Sequence, residues 1–213
     1  REQPLIRQDL VPAVQNLLAA RRSCPLMSKV HFGLAELFIA LPEKDALQLD
    51  EINLVQTAVQ LAPNDPEVLF RAGLLDWQAG RDATARAEWR KSLTLSSLHA
   101  KRIFDFVASQ EDGAPRIVAE IAPDDPARII DVARQLDDPQ YKILLAERAE
   151  ETLSLTPTSR GLRNHLLGGI YELKGRIGDA INCYEQAVDE NPENLVWRLQ
   201  IAKLLLTQGR LEK

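Results

Sequence analysis

Only two cysteines occur in the chain, Cys24 and Cys183, and their separation matches no metal-ligand spacing. Cys24 falls in an expected loop and Cys183 inside a helix beside Tyr184. Both read as free thiols, which favours a reducing compartment. Histidine is sparse too: His31, His99 and His165 are scattered over separate segments, and each reads as a packed or groove-edge imidazole. No G-x-G-x-x-G, H-E-x-x-H, G-x-S-x-G or phosphate-loop pattern is present, so no catalytic, cofactor-binding or metal-binding residue is assigned. Asp124-Asp125 and Asp137-Asp138 are not read as paired catalytic carboxylates. Each pair precedes a proline and a new helix, where Asp accepts from free N–H groups and meets the positive end of the helix dipole.

Clustered positive charge is also missing. Arg21-Arg22 and Lys101-Arg102 are isolated pairs, and the net charge is −5 with a pI of about 5.3. Nucleic-acid binding is disfavoured, because neutralising phosphates needs grouped cations. The longest nearly apolar stretch, residues 33–41, is interrupted by Glu36 and is too short to span a bilayer. Few β-branched residues alternate with a period of two, so strands are not expected. No long Ser/Gly linker breaks the chain, and a single domain over residues 1–213 is expected. What remains is an ordinary globular composition, 45% hydrophobic and 27% charged.

Within that composition one stretch is informative. Residues 168–194 read G-G-I-Y-E-L-K-G-R-I-G-D-A-I-N-C-Y-E-Q-A-V-D-E-N-P-E-N. With Gly161 as position 1, Gly168 falls at 8, Tyr171 at 11, Gly175 at 15, Ala180 at 20, Tyr184 at 24, Ala187 at 27 and Pro192 at 32. This pattern resembles the tetratricopeptide repeat (TPR), a helix–turn–helix unit of 34 residues. Small residues at 8, 20 and 27 let helices approach, and large residues at 4, 7, 11 and 24 fill the gaps between them. Gly175 ends the first helix, where a left-handed residue is needed, and Pro192 stops the second.

The grammar recurs. Starting at Leu195, position 8 is Ala202 and position 15 is Gly209. Starting at Pro66, position 8 is Gly73, 15 is Gly80, 20 is Ala85 and 24 is Trp89. Asp76 departs from the pattern at position 11, and Trp77 is expected to take over its filling role. Ala62-Pro63-Asn64-Asp65-Pro66 returns sixty residues later as Ala122-Pro123-Asp124-Asp125-Pro126, eight residues short of two repeats. Units are therefore placed at 28–65, 66–99, 100–125, 126–160, 161–194 and 195–213, the last truncated. The first carries about four extra residues near 42–45. The third is short, with a break near 110–113. The fourth turns on Asp137-Asp138-Pro139 instead of Gly and has Leu145 at the small position 20. Residues 8–22 form an amphipathic helix before the array. The expected fold is an all-α, TPR-like superhelix (α-solenoid) of about five helix pairs, some degenerate.

The resemblance implies a binding function. In TPR proteins the first helices line the concave side, with groove positions 2, 5, 6, 9, 12 and 13. The Pro66 unit places Glu67, Phe70, Arg71, Leu74, Trp77 and Gln78 there. The Gly161 unit places Leu162, His165, Leu166, Gly169, Glu172 and Leu173, and the Leu195 unit places Leu199, Gln200 and Lys203. This mixed lining suits a peptide or a partner helix. Phe70 and Trp77 have packing between repeats as an equal alternative. The Lys/Asn/Arg clamp by which some TPR domains hold a chaperone's C-terminal carboxylate is not matched, since only Arg71 has a corresponding position. A weaker resemblance links Arg22-Ser23-Cys24-Pro25-Leu26, His31, Leu34-Ala35-Glu36-Leu37 and residues 122–136 to the repeats trailing bacterial O-antigen ligase or polymerase-like membrane proteins. It implies an accessory segment in cell-surface polysaccharide assembly.

The expected partner is a protein or peptide, with no nucleic acid and no direct membrane insertion. The chain starts at Arg1 and ends within a repeat, as an excised fragment would. On that reading the last helix lacks its partner and exposes Leu199, Leu204 or Leu205 as an apolar stripe, able to pair with a second copy. Location is cytoplasmic by default, or attached to a bacterial membrane protein if the ligase resemblance holds.

Overall fold

The computed structural model describes residues 3–40, 51–109 and 114–207. The expected insertion near 42–45, the break near 110–113 and the third glycine stop, Gly209, lie outside them. Twelve α-helices are present among the described residues, and no strand. Contacts divide the chain into two compact units, Arg1–Leu95 and Ser96–Lys213, where the sequence reading had one domain.

The first unit holds α1 (Gln3–Ser23), α2 (Ser28–Ala40), α3 (Glu51–Leu61), α4 (Pro66–Gln78) and α5 (Asp82–Leu95). α1 starts earlier than the amphipathic pattern indicated and continues through Pro12. Its Val14, Leu17 and Leu18 pack with Phe32, Leu34 and Ala35 of α2 and with Leu54, Val55 and Ala58 of α3. α4 and α5 form a hairpin in which Trp89 is fully buried. Its indole N–H donates to the Phe70 carbonyl at 3.2 Å. A Cβ on Gly73 would overlap that indole, so the small position 8 and the large position 24 face each other as the register requires.

Asp76 does not leave its slot to Trp77. It is itself buried at 4% exposure and paired with the Arg81 guanidinium, whose Nε donates to it at 2.8 Å. Trp77 is half-buried and stacks on Trp89, centroids 5.6 Å apart. The neighbouring Glu88 carboxyl is pushed up to about 8 by burial, by the Asp76 charge and by hydrogen bonding to Asp76. At neutral pH it is therefore protonated and donates to Asp76. A buried polar cluster replaces the aromatic filler of the pattern.

The second unit opens with a 3₁₀ turn (Ser97–His99), followed by α6 (Ala100–Ala108), α7 (Ala114–Ile121), α8 (Pro126–Arg134), α9 (Pro139–Leu155), α10 (Arg160–Leu173), α11 (Ile177–Glu190) and α12 (Leu195–Thr207). The third repeat is short because α6 and α7 have only 9 and 8 residues. Leu145 is buried on α9, filling the place of the usual small residue. On α10 a Cβ at Gly168 would lie 2.6 Å from the Tyr184 ring, the same 8-to-24 facing as Gly73 and Trp89.

The caps explain the recurring motifs. Asp65, Asp125 and Asp138 each sit before a helix with a proline in its first turn. Each accepts from the N–H two residues on, at 2.9, 3.0 and 2.7 Å respectively. The second Asp of each acidic pair thus caps a helix, as read from the sequence. Gly80 and Gly175 both have φ of 73°. Around them Arg81 N–H reaches Asp76 O and Arg176 N–H reaches Tyr171 O, both at 2.8 Å, while the glycine N–H bonds the carbonyl three residues back. Two helix ends therefore close with one Schellman geometry, which a residue with a Cβ adopts only at a cost.

Candidate functional site

The first helices of three successive repeats in the second unit are α8, α10 and α12. Between them lies a cavity of about 250 Å³. α8 contributes Ala127, Ile130, Asp131 and Arg134, and α10 contributes Leu162, His165, Leu166 and Gly169. With Pro126 and Gly161 as position 1, both quartets fall at positions 2, 5, 6 and 9. Trp197 of α12 closes the end.

His165 is held in an aromatic stack. Its ring lies 5.1 Å from Trp197, nearly parallel at 16°, and 5.3 Å from Tyr184. Burial, then the Arg134 charge, pull its pKa down to about 4, against a smaller opposing effect of Glu172. The imidazole is therefore neutral. Its Nδ1 is buried without a hydrogen-bond partner. An orphaned acceptor is less costly than an orphaned donor, so the proton belongs on Nε2.

Glu172 gathers the polar side of the site. Arg134 Nη2 donates to its Oε2 at 3.1 Å, the Tyr184 hydroxyl at 2.9 Å and Gln200 Nε2 at 3.0 Å. Arg134 also donates to the Tyr184 oxygen at 3.2 Å. The Tyr184 hydroxyl is raised well above its ordinary value by burial and the Glu172 charge, so it stays a donor. Four helices, α8, α10, α11 and α12, are thus tied at one carboxylate.

The sequence-read residues separate into three groups. His165, Glu172 and Gln200 come together here, as do Leu162, Leu166 and Gly169. Lys203 is exposed on α12 and does not line the cavity. In the first unit Phe70 is 2% exposed and belongs to the core, so its groove assignment gives way to packing. Arg71 is engaged by Glu36, with Nε donating at 2.9 Å, and lies over the Phe32 ring at 5.5 Å. The Glu36 hydrogen bond raises its pKa further. Leu74 and Trp77 are half-buried, while Glu67 and Gln78 are exposed. The sequence reading missed Ala127, Ile130, Asp131, Arg134 and Trp197. The first four carry a signal, since they fill the groove positions of the Pro126 unit, whose loose match to the pattern left them unread.

On α12, Leu204 is buried against Ala180, Ile181 and Tyr184 of α11, which corrects the expectation that it waits for a missing helix. Leu199 is 62% exposed and Leu205 is half-buried. Among the described residues no group of three or more His, Cys, Asp or Glu could hold a metal ion, and no helix is long and apolar enough to cross a membrane.

Helical hairpins joined by matching glycine turns, with a cavity between successive first helices, define an all-α repeat array of the TPR-like solenoid class. The tetratricopeptide-repeat sequence model matches residues 173–213, so the resemblance read from the sequence holds there. No curated protein matches the chain, and the resemblance to O-antigen ligase tails gains no support.

Proposed function

We propose that the chain is a non-catalytic protein-interaction scaffold that takes a segment of a partner protein across α8, α10 and α12. One observation carries this reading. The cavity is lined at the same four repeat positions on the first helices of two successive repeats, so the repeat register itself builds the recess. The tie at Glu172 holds the recess walls in place before any ligand arrives, which lowers the ordering cost of binding.

Peptide display against the whole chain tests the reading. Selected peptides should lose at least roughly tenfold in affinity when Leu162, 38% exposed at the rim, is changed to Glu, because a buried unpaired charge opposes an apolar contact. Binders unaffected by Leu162→Glu and mapping to the second helices would sink it.

A further inference from the structure

The cavity also tells what kind of side chain it accepts. Its apolar walls are Ile130, Leu166 and the Trp197 ring, with Leu162 at the rim, and polar groups of Asp131, Arg134 and His165 make up about half of the lining. The two charged lining residues already have opposite charges beside them. Arg134 is bonded to Glu172 and Tyr184, and Asp131 lies 3.9 Å from Arg134 and 3.8 Å from Arg128. Arg128 and Arg134 balance Asp131 and Glu172. A charged anchor would meet no uncompensated opposite charge, so its desolvation would go unrepaid. An uncharged anchor avoids that cost.

Beyond the recess the α12 face is mixed, with Gln200 and the exposed Lys203 at groove positions 6 and 9 among apolar residues. Val196, Leu199 and Leu206 stand at groove positions 2, 5 and 12 of the next repeat and are 70%, 62% and 53% exposed. The His165 Nε2–H, fixed by the stack, is a donor suited to a main-chain carbonyl. Resting on the interaction reading, we infer that the site is specific for a peptide segment that inserts one bulky uncharged side chain, leucine or phenylalanine in kind, between α8 and α10. The segment lays further apolar residues along α12.

NMR titration of the whole chain with end-capped five-residue peptides tests this. The peptides share a Gly/Ser background and carry Leu, Phe, Asp or Lys at the centre. The Leu and Phe peptides should shift the Gly169 amide and the Trp197 indole signal, and bind at least roughly tenfold tighter than the charged ones. Gly169→Ala places a methyl 3.2 Å from Ile130 Cγ2 and narrows the recess. It should weaken the Leu peptide severalfold with the fold intact by circular dichroism. Trp197→Ala, which removes the end wall, is the second variant should Gly169→Ala disturb folding. Tighter binding of the Asp or Lys peptide at the same signals would overturn the inference and leave the interaction reading standing. So would unchanged Leu-peptide affinity in both variants. Peptide-free shifts that grow with protein concentration would overturn it by showing a second copy in the site. No response of α8, α10 or α12 to any peptide would end the interaction reading as well.

Discussion

Replacing Gly168 by alanine tests the repeat register at its tightest point. The added methyl would lie 2.6 Å from Tyr184 Cε1 and 2.7 Å from Cδ1, where ordinary contact begins near 3.4 Å. The ring must retreat by roughly 0.8 Å. It has nowhere easy to go, being fully buried, with its hydroxyl tied to Glu172 and Arg134. Overpacking of this kind costs about 1–3 kcal/mol. Alanine recovers up to about 1 kcal/mol of helix propensity over glycine. The net expectation is destabilisation by about 0.5–2 kcal/mol, a drop in Tm of a few degrees for a unit of this size. Gly178→Ala is the control: it lies on α11 with nothing within 4 Å and should be neutral or stabilising. In a Tyr184→Ala background, where the ring is gone, Gly168→Ala should lose its cost, and the double-mutant cycle isolates the clash. Denaturant unfolding of the four chains measures it. Gly168→Ala as stable as Gly178→Ala in the Tyr184 background and out of it would refute the facing of positions 8 and 24.

Gly175→Ala forces a side chain to φ 73° and should cost about 1–2 kcal/mol in the same assay, although nothing lies within 4 Å of its Cβ. Asp125→Ala removes the cap on the Ala127 N–H and should cost about 0.5–2 kcal/mol. Glu88 has its folded pKa raised, so its contribution is complete below about 4.5 and is lost as pH rises through about 8. Stability of the first unit should fall over that window, and Glu88→Gln should flatten the slope in thermal melts across pH. His165 has its folded pKa lowered, so its contribution is complete above about 6.5 and is lost as pH falls toward 4. An NMR titration placing its imidazole midpoint near 6.5 would contradict the stacked, buried environment.

Most of the fold was legible because it depends on residues with few alternatives. Gly80 and Gly175 mark left-handed helix ends that only glycine tolerates easily. Asp65, Asp125 and Asp138 before prolines mark helix starts. The site was legible only where the repeat was regular. His165 and Glu172 lie in the unit whose spacing is closest to the pattern. Arg134 was missed because α8 ends early, at a turn of Asp137-Asp138-Pro139, and offers no glycine to anchor the count. Phe70 was misplaced for another reason. A groove position and a core position differ by one residue on a helix, and sequence spacing alone does not say how far a neighbouring helix closes over it.

The departures from the repeat pattern follow a common physical rule. Where position 11 is Tyr171, the tyrosine is half-buried and the carboxylate beside it, Glu172, faces the groove, free to bind helices together. Where position 11 is Asp76, the carboxylate lies inside the hairpin, and it must be satisfied there by Arg81 and a protonated Glu88. Shifting the acid by one position along the helix turns it from a groove element into a core element. The tryptophan that follows, Trp77, then occupies the groove position that Glu172 holds in the other repeat. One hairpin therefore places there an aromatic ring stacked on Trp89, and the other a polar tie. Swapping the order, with Asp76→Tyr and Trp77→Glu together, should convert the first into the second if the register is right. Glu88 would face a tyrosine hydroxyl in Asp76's stead, and its pKa should fall part of the way toward the ordinary carboxylate range, because the Asp76 charge is gone while burial, the larger cause, remains. A slope unchanged in the double variant would show that burial alone, without Asp76, holds the proton.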